Sequence, residues 1–361
     1  MHALLYKSVY LLLVTISTFV VMSSYQGQRI GIGHRRYSSK NALWLLALFV
    51  IFFIGLRPVS RVFNDMGAYY TFYNVNLGNQ FTWSWYTENY IFDNILPWFA
   101  AYKIPVTLYF FFISAIYFGC IAWACMKLFP RDALLAFVVY LGAFSTFASA
   151  TNGIKAGAAA SIFLLALAYK EKKALSIVLL FVTLGFHHSM LAPIAAFVLA
   201  SIYQKPKAYL WVWIVCFLLA AGHVTFFMSL FAGFTDEHGA SYLTTDNNLN
   251  VSGFRPDFIL YSAIPVFLGY NLMRKGYIVS EKYNFLWCVY TLANCVFLLC
   301  TYGDFINRIA YLSWAMYPIV LLYPFVNTKW SNHPKMSKRY LQYAVYGHLG
   351  FTLFMQIVYY A

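Results

Sequence analysis

Four cations, Arg57, Arg61, Lys155 and Arg308, occupy places in the sequence that disfavour charge. The first two lie in GLRPVSRVFNDMGAYY (55–70), directly after sixteen uncharged residues, 41–56. The other two stand at the ends of further apolar stretches. An unpaired cation in hydrocarbon costs about 2.5 to 3.5 kcal/mol on insertion scales. A bound anion would offset that cost. Phosphate suits arginine well, because the guanidinium fork donates to two oxygens at once and stays charged at every relevant pH. The plainer reading is that such cations snorkel toward headgroups, or pair with Asp65, Glu88, Asp93 or Asp304 to hold helices together. Each cation alone fits either reading, but four together favour an anion site.

Acid–base chemistry would fall to Glu88, His187, His188 or Asp65. Histidine has the ordinary pKa nearest neutrality, which recommends the pair. Asp65 has a competing role as the ion-pair partner that orients Arg57 or Arg61, so Glu88 and the histidines rank ahead of it. Adjacent histidines point different ways on a helix and bring no evident carboxylate as a third ligand. The sequence contains no DxD pair, and Cys120, Cys125, Cys216, Cys288, Cys295 and Cys300 show no CxxC spacing. No metal and no cofactor is therefore expected, and the cysteines read as small core residues.

The elements that must position these groups follow from composition. Hydrophobic residues make up 62% of the 361 and charged residues 10%, with a mean hydropathy of +0.64. Soluble domains are about half apolar and a quarter charged, so the chain reads as an all-α, polytopic transmembrane bundle forming one domain over 1–361. Apolar stretches suited to crossing a bilayer recur at 3–24, 41–56, 104–126, 133–150, 153–169, 174–187, 189–204, 208–231, 257–273, 283–301, 307–326 and 340–360. The 174–187 and 189–204 stretches are short enough to be one re-entrant pair. The first stretch is followed by Arg29, Arg35, Arg36 and Lys40 and lacks a clean cleavage site, so it reads as a retained helix. The alternate connections 25–40, 127–132, 170–173, 205–207, 274–282 and 327–339 carry 18 of the 25 Lys and Arg. By the positive-inside rule they face the cytoplasm, and both termini face outside. The outer side then keeps Arg57, Arg61, Lys103, Lys155, Arg255 and Arg308. The net charge of +14 reflects this asymmetry and attraction to anionic lipid, and nucleic acid is not an expected partner.

Two outer segments stand apart. Residues 57–103 form an outer loop in which Phe81, Trp85, Ile91, Ile95, Trp98 and Phe99 recur at helical spacing, which predicts an amphipathic helix over 79–103. Its aromatics fit an interfacial belt, and some of the rings could stack on sugars. The polar segment 232–257, AGFTDEHGASYLTTDNNLNVSGFRPD, is rich in groups able to hydrogen-bond glycan hydroxyls.

GLRPVSRVFNDMGAYYTFYN resembles the R-x-n-D-x-x-x-Y signature of the EpsG and Wzy-like polysaccharide polymerases. ENYIFDNILPWFA (88–100) is similar to that family's Glu-led segment, NGIKAGAAASIFLLAL (152–167) to its polar motif opening a small-residue helix, and LGFHHSMLAPI (184–194) to its FHxS segment. The resemblance covers roughly 45–200, with Arg308 in GDFINRIAYL a later match. Two positions depart from it. Lys155 and Ala156 stand where the family more often has arginine followed by glutamine, and Arg61 is not a constant of the pattern.

The resemblance implies a bacterial inner-membrane glycosyltransferase of GT-C type, working without metal on its outer face. It would move a growing glycan from undecaprenyl diphosphate to the non-reducing end of a lipid-linked repeat unit. Arg57, Arg61, Lys155 and Arg308 would meet the diphosphate, and Tyr69, Trp85 and Asn152 the glycan. Partners would be the undecaprenyl-diphosphate-linked oligosaccharide, membrane lipid and a chain-length regulator. A flippase for lipid-linked sugars, or a ligase moving the chain to another acceptor, is the alternative. No internal repeat of the transporter kind is evident.

Overall fold

The computed structural model describes residues 1–28, 39–233, 235, 237–244, 253–326 and 334–359, without the side chains of 25–28, 39, 237–239 and 334–338. Arg29, Arg35, Arg36, Lys329 and residues 245–252 of the polar stretch 232–257 lie outside the described residues. Among those described there is no strand. The N-terminal half contains α1 (Leu5–Gln28), α2 (Ser39–Gly55), α3 (Asp65–Val75), α4 (Phe92–Ala101), α5 (Val106–Leu128), α6 (Ala133–Leu141), α7 (Thr146–Thr151), α8 (Ile154–Ala168) and α9 (Lys173–Phe186). A 3-10 turn, His188–Met190, leads into α10 (Leu191–Ile202). There follow α11 (Pro206–Ala221), α12 (Phe226–Ala232), α13 (Glu237–Thr244), α14 (Pro256–Arg274), α15 (Glu281–Leu299), α16 (Ile306–Trp314), α17 (Tyr317–Val326) and α18 (Pro334–Phe354).

Among the described residues, three helical stretches are long and apolar enough to cross a membrane: Leu5–Ser24, Val106–Leu128 and Ile306–Val326, the last formed by α16 running into α17. The bent pair α11 and α12, at 113°, would make a fourth if it is one span. Lys40–Gly55, Ile154–Ala168, Lys173–Phe186 and His188–Ile202 are shorter apolar helices. With hydrocarbon rather than water as solvent, backbone groups must be satisfied within the protein, and helices do this locally.

The bundle is built around two long buried helices. α5 packs between α2 and α8, and α15 packs against α10, α11, α14 and α16. Trp287, Tyr290, Trp314 and Tyr261 fill the second center. All six cysteines are free; Cys120 is half-buried and the other five are buried.

Two segments differ from expectation. The apolar run 133–150 is not one helix: α6 stops at Leu141, a turn follows, and the six residues of α7 resume it. The amphipathic pattern over 79–103 yields a helix only over Phe92–Ala101. Upstream of it the chain is irregular, because Asn94 clamps the backbone of Ser84: its Oδ1 accepts from Ser84 N and its Nδ2 donates to Ser84 O, each at 2.8 Å. A side chain that satisfies the backbone in this way competes with helix formation. The same outer segment also contains a helix the spacing did not announce, α3.

Candidate active site

α16 opens on a sharp reversal. Phe305 lies in the left-handed region at φ 49°, a conformation that costs a residue with a Cβ about 1–2 kcal/mol. The turn is held from α13: Asp304 N donates to Tyr242 O at 2.9 Å, and the rings of Phe305 and Tyr242 lie 4.8 Å apart. The reversal puts Arg308 on the first turn of α16, facing α13 and α3. Its Nη2 donates to Asp65 Oδ1 at 3.2 Å, and its Nη1 to the Tyr242 hydroxyl at 3.1 Å. Asp65 is the first residue of α3, where a carboxylate is favoured by the helix dipole. The two side chains are 41% and 28% exposed, so the guanidinium is oriented while part of it remains open.

Asp65 therefore pairs with Arg308, 243 residues away, and not with Arg57 or Arg61 as the sequence suggested. Arg61 is exposed on the approach to α3.

Arg57 occupies a different environment. It is 1% exposed, its guanidinium sits over the rings of Phe63 and Phe110 at 5.2 and 5.3 Å, and its Nε is buried with no hydrogen-bond partner. Nη1 donates to Ile54 O at 2.8 Å and Nη2 to Thr151 O at 3.0 Å. These carbonyls lie at the ends of α2 and α7, the first of them also accepting from Arg57 N at 3.4 Å, so Arg57 caps two helices with one side chain. Burial pushes its pKa down to about 10, which leaves it charged at neutral pH. In this arrangement it does not reach an outer ligand, contrary to the expectation of direct diphosphate contact.

Lys155 is half-buried in the first turn of α8. Just before it, the Oδ1 of Asn152 is buried without a hydrogen-bond partner, in the break between α7 and α8. A crevice with room for about one water lies beside them, lined by Ser145 and Ser149, by Ala156 and Gly157, and by Tyr311 and Leu312. Ala156 adjoins Lys155, and Tyr311 and Leu312 lie one helical turn beyond Arg308. The crevice thus lies between the start of α8 and the second half of α16, with neither Lys155 nor Arg308 in its lining.

The candidate bases come together by a separate docking. Glu88 is exposed and heads a segment that lies on the end of α9. Ile91 N donates to Gly185 O at 2.8 Å, Tyr90 Oη to Phe181 O at 2.9 Å, and the buried Asn89 accepts from His188 N at 2.8 Å through Oδ1. Asn89 is fixed in turn by donating from Nδ2 to Asp93 Oδ2 at 3.3 Å. Gly185 makes the approach possible, since a Cβ there would lie 2.7 Å from Ile91 and 2.8 Å from Tyr90. His187 has an extended backbone that breaks the helix, and both histidines are half-buried at this junction. Glu88, His187 and His188 therefore belong to one structural unit.

The glycan candidates divide. Trp85 is 71% exposed, with its ring 5.5 Å from that of Trp83 and 6.1 Å from that of Tyr90. Tyr69 packs its half-buried ring 6.1 Å from Phe92 and 6.2 Å from Tyr109. Tyr242, Asn89 and Gly185 were not singled out from the sequence. Tyr242 could not have been found by pattern, since it is one of many polar residues of 232–257; the Asn89 and Gly185 roles exist only through a contact across about 95 residues.

A helical bundle with apolar spans defines a membrane protein, one in which a half-open arginine is held by a carboxylate and a phenol. The chain belongs to the EpsG family, whose model matches residues 40–360, and that membership points to a glycosyltransferase-like polysaccharide polymerase. Neither the curated proteins nor the solved structures contain a significant match.

Proposed function

We propose that this protein polymerises lipid-linked repeat units, moving a growing glycan from undecaprenyl diphosphate to the non-reducing end of the next unit. The observation that carries the reading is Arg308, oriented by Asp65 and Tyr242 yet still half-open. An acceptor hydroxyl attacks the anomeric carbon, the bond from that carbon to the diphosphate oxygen breaks, and undecaprenyl diphosphate leaves. The hydroxyl proton passes to the Glu88, His187 and His188 unit; Asp65 is engaged by Arg308. Arg308, Lys155 and Arg61 meet the charge that develops on the departing diphosphate, where fixed cations in a water-poor site act most strongly. Arg57 serves from inside the bundle. The transfer is read as metal-independent, the cations taking the part of a divalent ion.

The distribution of Lys and Arg supports a bundle of about twelve spans in the bacterial inner membrane, with both termini and the site facing outward. In this reading Tyr69, Trp85 and Asn152 contact the glycan, and a GT-C-type architecture and a chain-length regulator as partner complete it.

The test is the glycan ladder from cells lacking the protein, complemented at matched expression with wild type, Arg308→Ala or Lys155→Ala. The proposal expects single repeat units, exported and attached, in the variants. Lipid-linked units retained on the cytoplasmic side would instead make the protein a flippase, and long chains that stay on the lipid would make it a ligase.

A further inference from the structure

The break between α6 and α7 is unusually well satisfied. α6 spans nine residues from the 127–132 connection, which at ~1.5 Å per residue places the break near the middle of a ~30 Å hydrocarbon layer. Carbonyls freed there lie among buried residues, away from bulk water. Each carbonyl across the break nonetheless has a donor. Backbone amides serve Val138, Ala143 and Ser145, and the Thr146 hydroxyl serves Tyr140 at 2.7 Å. The remaining four are served by distant side chains. Tyr10 Oη donates to Leu141 O at 2.8 Å, and α18 supplies the rest: His348 Nε2 to Val139 O at 3.2 Å, Thr352 Oγ1 to Gly142 O at 2.8 Å, and Gln356 Nε2 to Phe144 O at 3.2 Å. Since a carbonyl only accepts, His348 carries its proton on Nε2.

His348, Thr352 and Gln356 are spaced i, i+4, i+8, one stripe along the helix ending in the π-turn Met355–Tyr359. Without these donors the straight alternative, a single helix through 133–151, would satisfy the same carbonyls internally. Side chains that replace those internal bonds therefore hold the chain in its broken form. The break in turn fixes α7, whose other end is capped by Arg57 at Thr151 O. α7 leads through Asn152 to Lys155, and its Ser149 touches α8 closely: a Cβ on Gly157 would meet Ser149 O at 2.5 Å.

We propose that His348, Thr352 and Gln356 are positioning residues that aim Lys155 by fixing the broken helix α6–α7. The Lys155 part rests on the function proposed above; the ladder itself does not.

The experiment separates the two. Lys155→Cys is labelled from outside with a membrane-impermeant thiol reagent, the parent chain serving as control for the six native cysteines. Thr352→Val, which keeps the shape and removes the hydroxyl, is expected to change the labelling rate at least severalfold, and Thr352→Ser to restore it. Gln356→Met, at the more exposed end of the stripe, is read in the same way should Thr352→Val not accumulate. Polymerisation is measured alongside in the cycle of Thr352→Val and Lys155→Ala, and the two losses are expected to be far from multiplicative. Labelling unchanged within twofold in Thr352→Val or Gln356→Met overturns the ladder. Full activity in Lys155→Ala, with labelling still shifted, removes the diphosphate role of Lys155 and leaves the ladder standing.

Discussion

Arg57 and Arg308 have the same side chain and both stand near the end of an apolar helix, yet they are put to opposite uses. Arg57 is enclosed, and its fork caps the carbonyls of Ile54 and Thr151. Arg308 is held on one side by Asp65 and Tyr242 and open on the other. The contrast teaches that an intramembrane cation reports a local deficit of negative charge, and that the deficit is as easily met by helix-end carbonyls as by a ligand. What distinguishes the cases is exposure: each guanidinium donates from two nitrogens, but Arg57 is enclosed and Arg308 keeps part of its side chain open.

Arg308→Ala should give the largest change in turnover, about 10²- to 10³-fold, the usual cost of removing a group aimed at developing charge. Its ion pair is exposed enough that thermal unfolding should shift by no more than about 1 kcal/mol. Arg57→Met should do the reverse. Two buried carbonyls lose a charged donor, so a stability loss of about 3 kcal/mol or more is expected from unfolding in detergent. If Arg57→Met folds as well as wild type but no longer binds inorganic pyrophosphate, the two arginines share one role and the comparison breaks.

The docking of 88–94 on α9 gives the next effects. Gly185→Ala forces a methyl group against Ile91 and Tyr90 and should cost about 1–3 kcal/mol, with turnover falling as Glu88 and the histidines part. Asn89→Ala should cost about 1–2 kcal/mol, and Asn89→Asp, which keeps the acceptor for His188 N but sets a second carboxylate against Asp93, should cost at least as much. Unfolding and turnover of both variants check this. Trp85→Ala should be the mildest, leaving stability within about 0.5 kcal/mol. A rise in KM of a few fold with kcat unchanged would assign the ring to glycan binding.

The helical class was legible in the sequence because bilayer burial leaves a simple record of apolar runs, against which charges stand out as candidates. Partners were less so. Asp65 sits four residues from Arg61 and was read as its mate, but the contact is with Arg308, across most of the chain. The break after Leu141 was hidden because its capping groups belong to α1 and α18, so 133–150 looks like any other apolar span. The helix expected over 79–103 failed upstream of Phe92 because spacing does not reveal that Asn94 binds the backbone of Ser84.

The most direct test of the account is purified protein in lipid given a synthetic undecaprenyl-diphosphate-linked repeat unit. The account predicts products carrying two or more units on one lipid, one undecaprenyl diphosphate released for each bond formed, and loss of that release in Arg308→Ala. Wild-type protein that forms no glycosidic bond, yet carries the intact unit from one leaflet to the other, would contradict it.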